Sequence, residues 1–207
     1  MIELYILCTL FIVILLIINT NTRLRSKRNK TKNLAQIVQS LRTLLEYLAM
    51  HRGMTNAYLK GDQSFESKIL SLQKDIENSF KILTQSKTHN ASLDKNKDYQ
   101  EMYIMWKDLQ SKAFSRVPAE NFKQHISLIE KVIENIAEEG LFIEVALSDN
   151  PNTKVIANTL VTELPHYVEI LGQARGIGTG AVAQGGCSID IKMNLKYLYD
   201  EAESKYV

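Results

Sequence analysis

Proline, cysteine and tryptophan are all scarce in this chain, with three, two and one copies among 207 residues. So few prolines leave long stretches free of helix breakers, and the abundance of Leu, Ile, Lys, Glu and Gln favours helix. Cys8 lies inside an apolar run and Cys187 lies far away, which excludes a disulfide framework and suits a reducing compartment. No His or Cys cluster surrounds Cys187, so it reads as a buried or inert thiol. The four histidines, His51, His89, His125 and His166, show no ligand spacing, and a metal is not expected. No cofactor is expected either. Paired acid–base groups and Ser-His-Asp or Cys-His constellations are missing, which argues against an enzyme. Gly176-x-Gly178-x-Gly180 lacks the Lys-Ser/Thr of a phosphate-binding loop and follows no strand. Nowhere do apolar and polar residues alternate for long, so no sheet is expected.

What is present suits one globular core: 45% hydrophobic and 23% charged residues. The net charge of +2 hides an asymmetry. Arg23, Arg25, Lys27, Arg28, Lys30 and Lys32 precede residue 33 against a single acid, Glu3. Removing these six from 25 bases and the one from 23 acids leaves 19 and 22, a balance of −3. On that balance the folded domain is expected to bind no nucleic acid.

Leu4 to Ile18 is apolar apart from Thr9, and Met1 and Ile2 lengthen it to about 17 residues, the short end of a bilayer span. A cleaved signal would begin with basic residues and end in a small-x-small site. This segment begins Met1-Ile2-Glu3 and ends Asn19-Thr20-Asn21-Thr22, which fits a retained anchor. Basic residues just after it predict a cytoplasmic C-terminal side and attraction to lipid headgroups. The expected organisation is a transmembrane anchor over 1–20, a basic juxtamembrane segment over 21–32 and a helical domain over 33–207.

In that domain Leu34, Val38, Leu41, Leu45 and Leu48 recur in steps of three and four, and Gly61-Asp62 ends the helix. A second helix runs from about Ser64 to Leu83, with Phe65, Ile69, Leu72, Ile76, Phe80 and Leu83 in phase. Residues 84–97 read as a loop. A third helix covers Asp98 to Ala113, with Met102, Met105 and Trp106 as core. Pro118 opens a fourth, carrying Phe122, Ile126, Ile129, Ile133, Ile136 and Ile143 to about Leu147. Ser148 to Pro151 is a turn. A fifth helix carries Leu160, Leu164, Val168 and Leu171, with Pro165 kinking it or delaying its start. Gly185-Gly186 breaks it, and Ser188 caps a last helix to about Lys205. The fold class is therefore all-α: a transmembrane helix followed by an antiparallel bundle of four or more helices.

Two arginines fall on apolar stripes. Extending 34, 38, 41, 45, 48 reaches Arg52, and extending 160, 164, 168, 171 reaches Arg175. A buried guanidinium keeps its proton, so each needs an anion or an exit to water. Each is followed by a glycine, Gly53 and Gly176, with Thr55, Asn56 and Thr179 one turn on. Six of the nine glycines lie between 172 and 186, and Gly172, Gly176 and Gly180 form one smooth helix face. An oxyanion held between two helices would use such donors. Structural pairing with Glu46, Glu144 or Glu169 is the alternative.

The stretches Leu45 to Leu59, with its Arg52-Gly53 step, and Leu164 to Gly178, with Arg175-Gly176, resemble the NIT domain, the nitrate- and nitrite-sensing module of bacterial signalling proteins. The hydrophobic pattern from Phe122 to Leu147 is similar too, so the resemblance spans about residues 34 to 200. It implies a stand-alone, membrane-anchored NIT-like bundle over 33–207 in which Arg52 and Arg175 hold nitrate or nitrite, with Gly53, Thr55, Asn56, Gly176 and Thr179 around them. The protein would be single-pass in a bacterial inner membrane, its C-terminal domain cytoplasmic. No output region follows, so a separate signalling protein would transmit the signal, with a homodimer as a further expectation. A non-sensing helical scaffold at the inner membrane is the competing reading.

Overall fold

The computed structural model describes residues 2–85, 93–146, 151–183 and 185–206. Seven α-helices follow one another among them: α1 (Ile2–Leu59), α2 (Glu66–Gln85), α3 (Leu93–Ser111), α4 (Pro118–Ala146), α5 (Pro151–Asn158), α6 (Leu164–Ala183) and α7 (Ile189–Tyr206). No strand occurs among the described residues, so the all-α expectation holds. The start of α3 at Leu93 shortens the expected loop. Residues 86–92 of that loop and most of the 148–151 turn lie outside the described residues.

Local chemistry sets the helix ends. Gly61 adopts φ +112°, its N–H donates to the Tyr58 carbonyl, and the Asp62 N–H donates to that of Ala57. This paired closure needs a left-handed residue after the helix, which glycine adopts without a Cβ clash. Gly185 (φ +72°) and Gly186 close α6 in the same way, onto Val182 and Ala181. Ser188 Oγ accepts from the Ile191 N–H and caps α7. Before α6 the chain makes one π-helical stretch, Thr159–Glu163, in which the Leu164 N–H donates to Thr159. Pro165 then sits in the first turn of α6, where its missing N–H costs little.

The core joins four helices. Ile37, Val38, Leu41, Leu44 and Leu48 of α1 meet Leu72, Ile76, Phe80 and Leu83 of α2, Tyr99, Met102, Trp106 and Leu109 of α3, and Leu128, Ile129, Val132, Ile133 and Ile136 of α4. His51 meets His125 while Thr55 meets Asn121, so α4 runs antiparallel to α1. Lys131 with Glu101 and Tyr99 with Glu139 set α3 antiparallel to α4.

Three sequence expectations are corrected. Among the described residues no helix is long and apolar enough to cross a membrane. Instead, α1 continues through residues 20 and 32 without a break, and the Thr20 hydroxyl is satisfied within the helix by donating to the Leu16 and Ile17 carbonyls. The anchor, the bilayer contact and the single-pass inner-membrane placement therefore fall away. Met1 and the side chains of 2–10, Cys8 included, lie outside the described residues. Second, Cys187 is exposed rather than buried. Third, the Leu160, Leu164, Val168 and Leu171 stripe is exposed, because α6 turns a different face inward.

That inward face is the glycine one. A Cβ on Gly176 would lie 2.9 Å from the Phe122 ring, and one on Gly172 3.0 Å from an Arg52 nitrogen. Gly140 of α4 is tighter still, with Val161 Cβ 2.6 Å from the site of a would-be Cβ, whereas nothing lies within 4 Å at Gly178. Gly178→Ala should therefore stabilise the fold by about 1 kcal/mol through helix propensity alone. Gly140→Ala should destabilise it, because overpacking against a branched carbon costs about 1–3 kcal/mol and outweighs that gain. Urea denaturation midpoints of the two variants should move in opposite directions.

Candidate functional site

The structure separates the two expected arginines. Arg52 is buried and ion-paired with Glu169 of α6, and its guanidinium lies 5.2 Å from the Phe122 ring centroid. Gln173 Nε2 donates to the same carboxylate at 2.9 Å. Arg175 is exposed and lines the open groove between α6 and the Arg42 to Met50 stretch of α1, and Thr179 beside it donates its hydroxyl to the Arg175 carbonyl. Thr55 and Asn56 are buried; Gly53 is exposed, and Gly176 faces Phe122. Glu169, one of the three acids weighed as structural partners, takes Arg52.

Beside that pair runs a polar network for which the sequence offered only core-face spacing, three residues on from Leu48 and four before Ile129. His125 is fully buried, with Nδ1 2.7 Å from the Asn121 carbonyl. A carbonyl only accepts, so His125 carries its proton on Nδ1 and presents Nε2 as an acceptor. His51 Nδ1 donates to that Nε2 at 2.8 Å, and the Gln73 amide donates to His51 Nε2 at 3.3 Å. Asn121 Nδ2 donates to Thr55 Oγ1 at 3.0 Å, and Thr55 donates to the His51 carbonyl. Every donor in the imidazole chain points one way, which only two neutral rings allow. Burial holds the His51 pKa well below its usual value, with His125 adding to the effect. Burial likewise takes His125 down to about 3, with Arg52 and Arg116 also opposing a positive charge.

The accessible charge lies elsewhere, on α1 before it joins the bundle. Arg23, Arg25, Lys27, Arg28 and Lys32 are exposed, and no side chain described between Ile14 and Asn29 is buried. Between Glu3 and Glu46 the sequence has no acid at all, against seven Lys or Arg. Phe11 and Ile14 to Ile18, just upstream, are also exposed.

This is an all-helical protein with a cationic helix segment extending past its core. The family model described as the Est1 DNA/RNA binding domain matches residues 2–121, and the chain belongs to that family. No curated protein and no solved structure matches it. The match takes in α1, α2, α3 and the start of α4.

Membership in this family overturns the NIT resemblance, and with it the nitrate or nitrite ligand, the sensory role and the separate signalling output. The exclusion of nucleic acid is corrected too. It rested on the −3 balance of residues 33–207, which left out the cationic segment lying inside the matched region.

Two tests follow from the buried groups. Glu169→Gln leaves the Arg52 charge uncompensated and should cost about 3–5 kcal/mol, whereas Arg52→Met with Glu169→Leu should recover most of it. For the imidazoles, the folded-state pKa values lie below the unfolded ones, so the unfolded chain binds protons first as pH falls. Their contribution is intact above about pH 6.5 and is lost progressively below it, by about 2 kcal/mol for His125 between pH 7 and 5, with His51 acting in the same direction. Urea midpoints measured across that range should fall steeply, and His51→Gln with His125→Gln should flatten the profile.

Proposed function

We propose that this protein is a nucleic-acid-binding helical domain whose interface is the exposed cationic segment of α1. One observation carries the reading: the region matched to the Est1 DNA/RNA binding family contains a stretch of exposed Arg and Lys with no acid among them. Phosphate neutralisation by such side chains supplies most of the sequence-independent affinity for nucleic acid. The bundle of α1 to α4 serves as the rigid base from which the segment extends. The role is binding rather than catalysis: the paired imidazoles of His51 and His125 are sealed from solvent, where no substrate proton reaches them.

Fluorescence anisotropy of labelled DNA and RNA titrated with the full chain tests this. Binding should weaken as salt rises, with a log–log slope of roughly −4 for five phosphate contacts. Replacing Arg23, Arg25, Lys27, Arg28 and Lys32 together by Gln should abolish most of the binding without lowering the urea midpoint, because none of these residues belongs to the core. Undiminished binding by that variant, or no binding by the parent at low salt, would overturn the reading.

A further inference from the structure

We infer that the groove between α1 and α6 docks an amphipathic helix of a partner protein, apolar along one face and acidic at both ends. The groove has a volume of about 690 Å³. Leu160, Leu164, Val168 and Leu171 form one wall, and the Gln39 to Met50 stretch of α1 forms the other. Leu45 and Ala49 also line it and pack against the core, which gives it a fixed apolar floor. The α6 wall lies outside the residues matched to the Est1 family. Along α1 the groove begins roughly 10 Å beyond Lys32, apart from the cationic segment.

The exposure of the wall points to a helical occupant. Its four aliphatic side chains are 40–56% exposed although they stand in a cleft, so the groove wraps only part of what enters it. Small molecules are held where most of their surface is buried. An occupant left half in water needs a polar face of its own, and an amphipathic helix has one. The spacing of the wall, in steps of four and three, offers the ridge against which apolar residues at i, i+4, i+7 and i+11 of such a helix would pack.

Charge sets its length and composition. Arg52 lies against Gly172 and Lys60 against Gly180, so α1 and α6 run parallel. Arg42 therefore stands at the Leu160 end of the groove and Arg175 at the Leu171 end, roughly 20 Å apart along the axis. A helix of about 13 residues spans that distance. Both arginines are exposed, and neither has an ion pair or hydrogen bond among the described residues. Of the two carboxylates in the groove, Glu169 is taken by Arg52, and Glu46 stands exposed between the ends. Unpaired cations at both ends with one acid midway complement a helix carrying Asp or Glu near each terminus and none at its centre.

The test titrates the full chain into a fluorescein-labelled peptide of about 16 residues, held helical by a side-chain crosslink on its polar face. It carries Leu at i, i+4, i+7 and i+11 and Glu in its first and last turns. Polarisation should show binding at least about tenfold tighter than that of the same peptide with Lys in place of Glu. Val168→Asp should weaken binding about tenfold or more, with the urea midpoint checking the fold. Arg42→Glu with Arg175→Glu should reverse the preference, so that the Lys peptide binds better. The variant with five Gln substitutions in the cationic segment should bind the Glu peptide as the parent does, which separates this site from nucleic-acid binding. No binding at about 100 μM protein, equal binding of the two peptides, an unreversed preference, or loss of peptide binding in the five-Gln variant would overturn the inference. A dimer in sedimentation that Val168→Asp dissociates would assign the groove to a second copy and overturn it as well.

Discussion

A guanidinium taken out of water cannot shed its proton, and at Arg52 this constraint fixes how the second half of the molecule meets the first. The Arg52 position on α1 is set by the core, since Leu41, Leu44 and Leu48 on the turns before it are fully buried. Its charge then demands a carboxylate at one place on whatever packs there, and Glu169 supplies it. With Glu169 held inward, the rotation of α6 is decided. Gly172 and Gly176 come to face Arg52 and Phe122, and Leu164, Val168 and Leu171 turn to solvent. Hydrophobic burial alone would favour a rotation roughly 105° away. Leaving three aliphatic side chains exposed forfeits a few kcal/mol at most, whereas an unpaired buried charge costs about as much by itself and leaves an unsatisfied donor set besides.

The same seam accounts for the neutrality of the imidazole pair. His51 and His125 lie beside two permanent cations, Arg52 and Arg116, in a region closed to water. A third positive charge there would find no compensating acid, since Glu169 is committed to Arg52 and Asp108 to Arg116. The rings instead satisfy each other as donor and acceptor, and the chain from Gln73 to the Asn121 carbonyl needs no charge. Polar groups thus set the alignment of α1 on α4 where the aliphatic core would tolerate a shift of a turn.

The first four helices were legible because burial and periodicity coincide in them. The stripe from Leu34 to Leu48 and that from Ile69 to Leu83 face the core as their spacing implies, and Gly61, Pro118 and Ser188 mark ends that the structure keeps. Periodicity failed in α6 because it ranks faces by apolar content and takes no account of a single ion pair made across 117 residues of sequence. The arginine pair was visible as an anomaly, and one of its weighed acid partners was Glu169, but nothing in the spacing distinguished Arg52, which is buried, from Arg175, which is exposed. The cationic segment was visible as well. Assigning it to a membrane flank removed it from the charge balance used to judge the rest of the chain.

That segment also explains why α1 has to be tied down at its far end. Arg23 with Lys27 and Arg28 with Lys32 are like charges at i,i+4 spacing, each pair destabilising an isolated helix by a few tenths of a kcal/mol. No acid is near enough in sequence to offset them. A helix of that composition alone would be marginal, because nucleation is costly and each added residue contributes little. Continuity with the buried part of α1 removes the nucleation cost, since the turns from Ile37 onward are already fixed by packing. The repulsion that remains is relieved by a polyanion laid along the helix, so binding and helix formation in this segment reinforce each other. The bundle therefore acts as more than a platform for the proposed interface: it supplies the helical template that lets an otherwise self-repelling stretch present its cations in register.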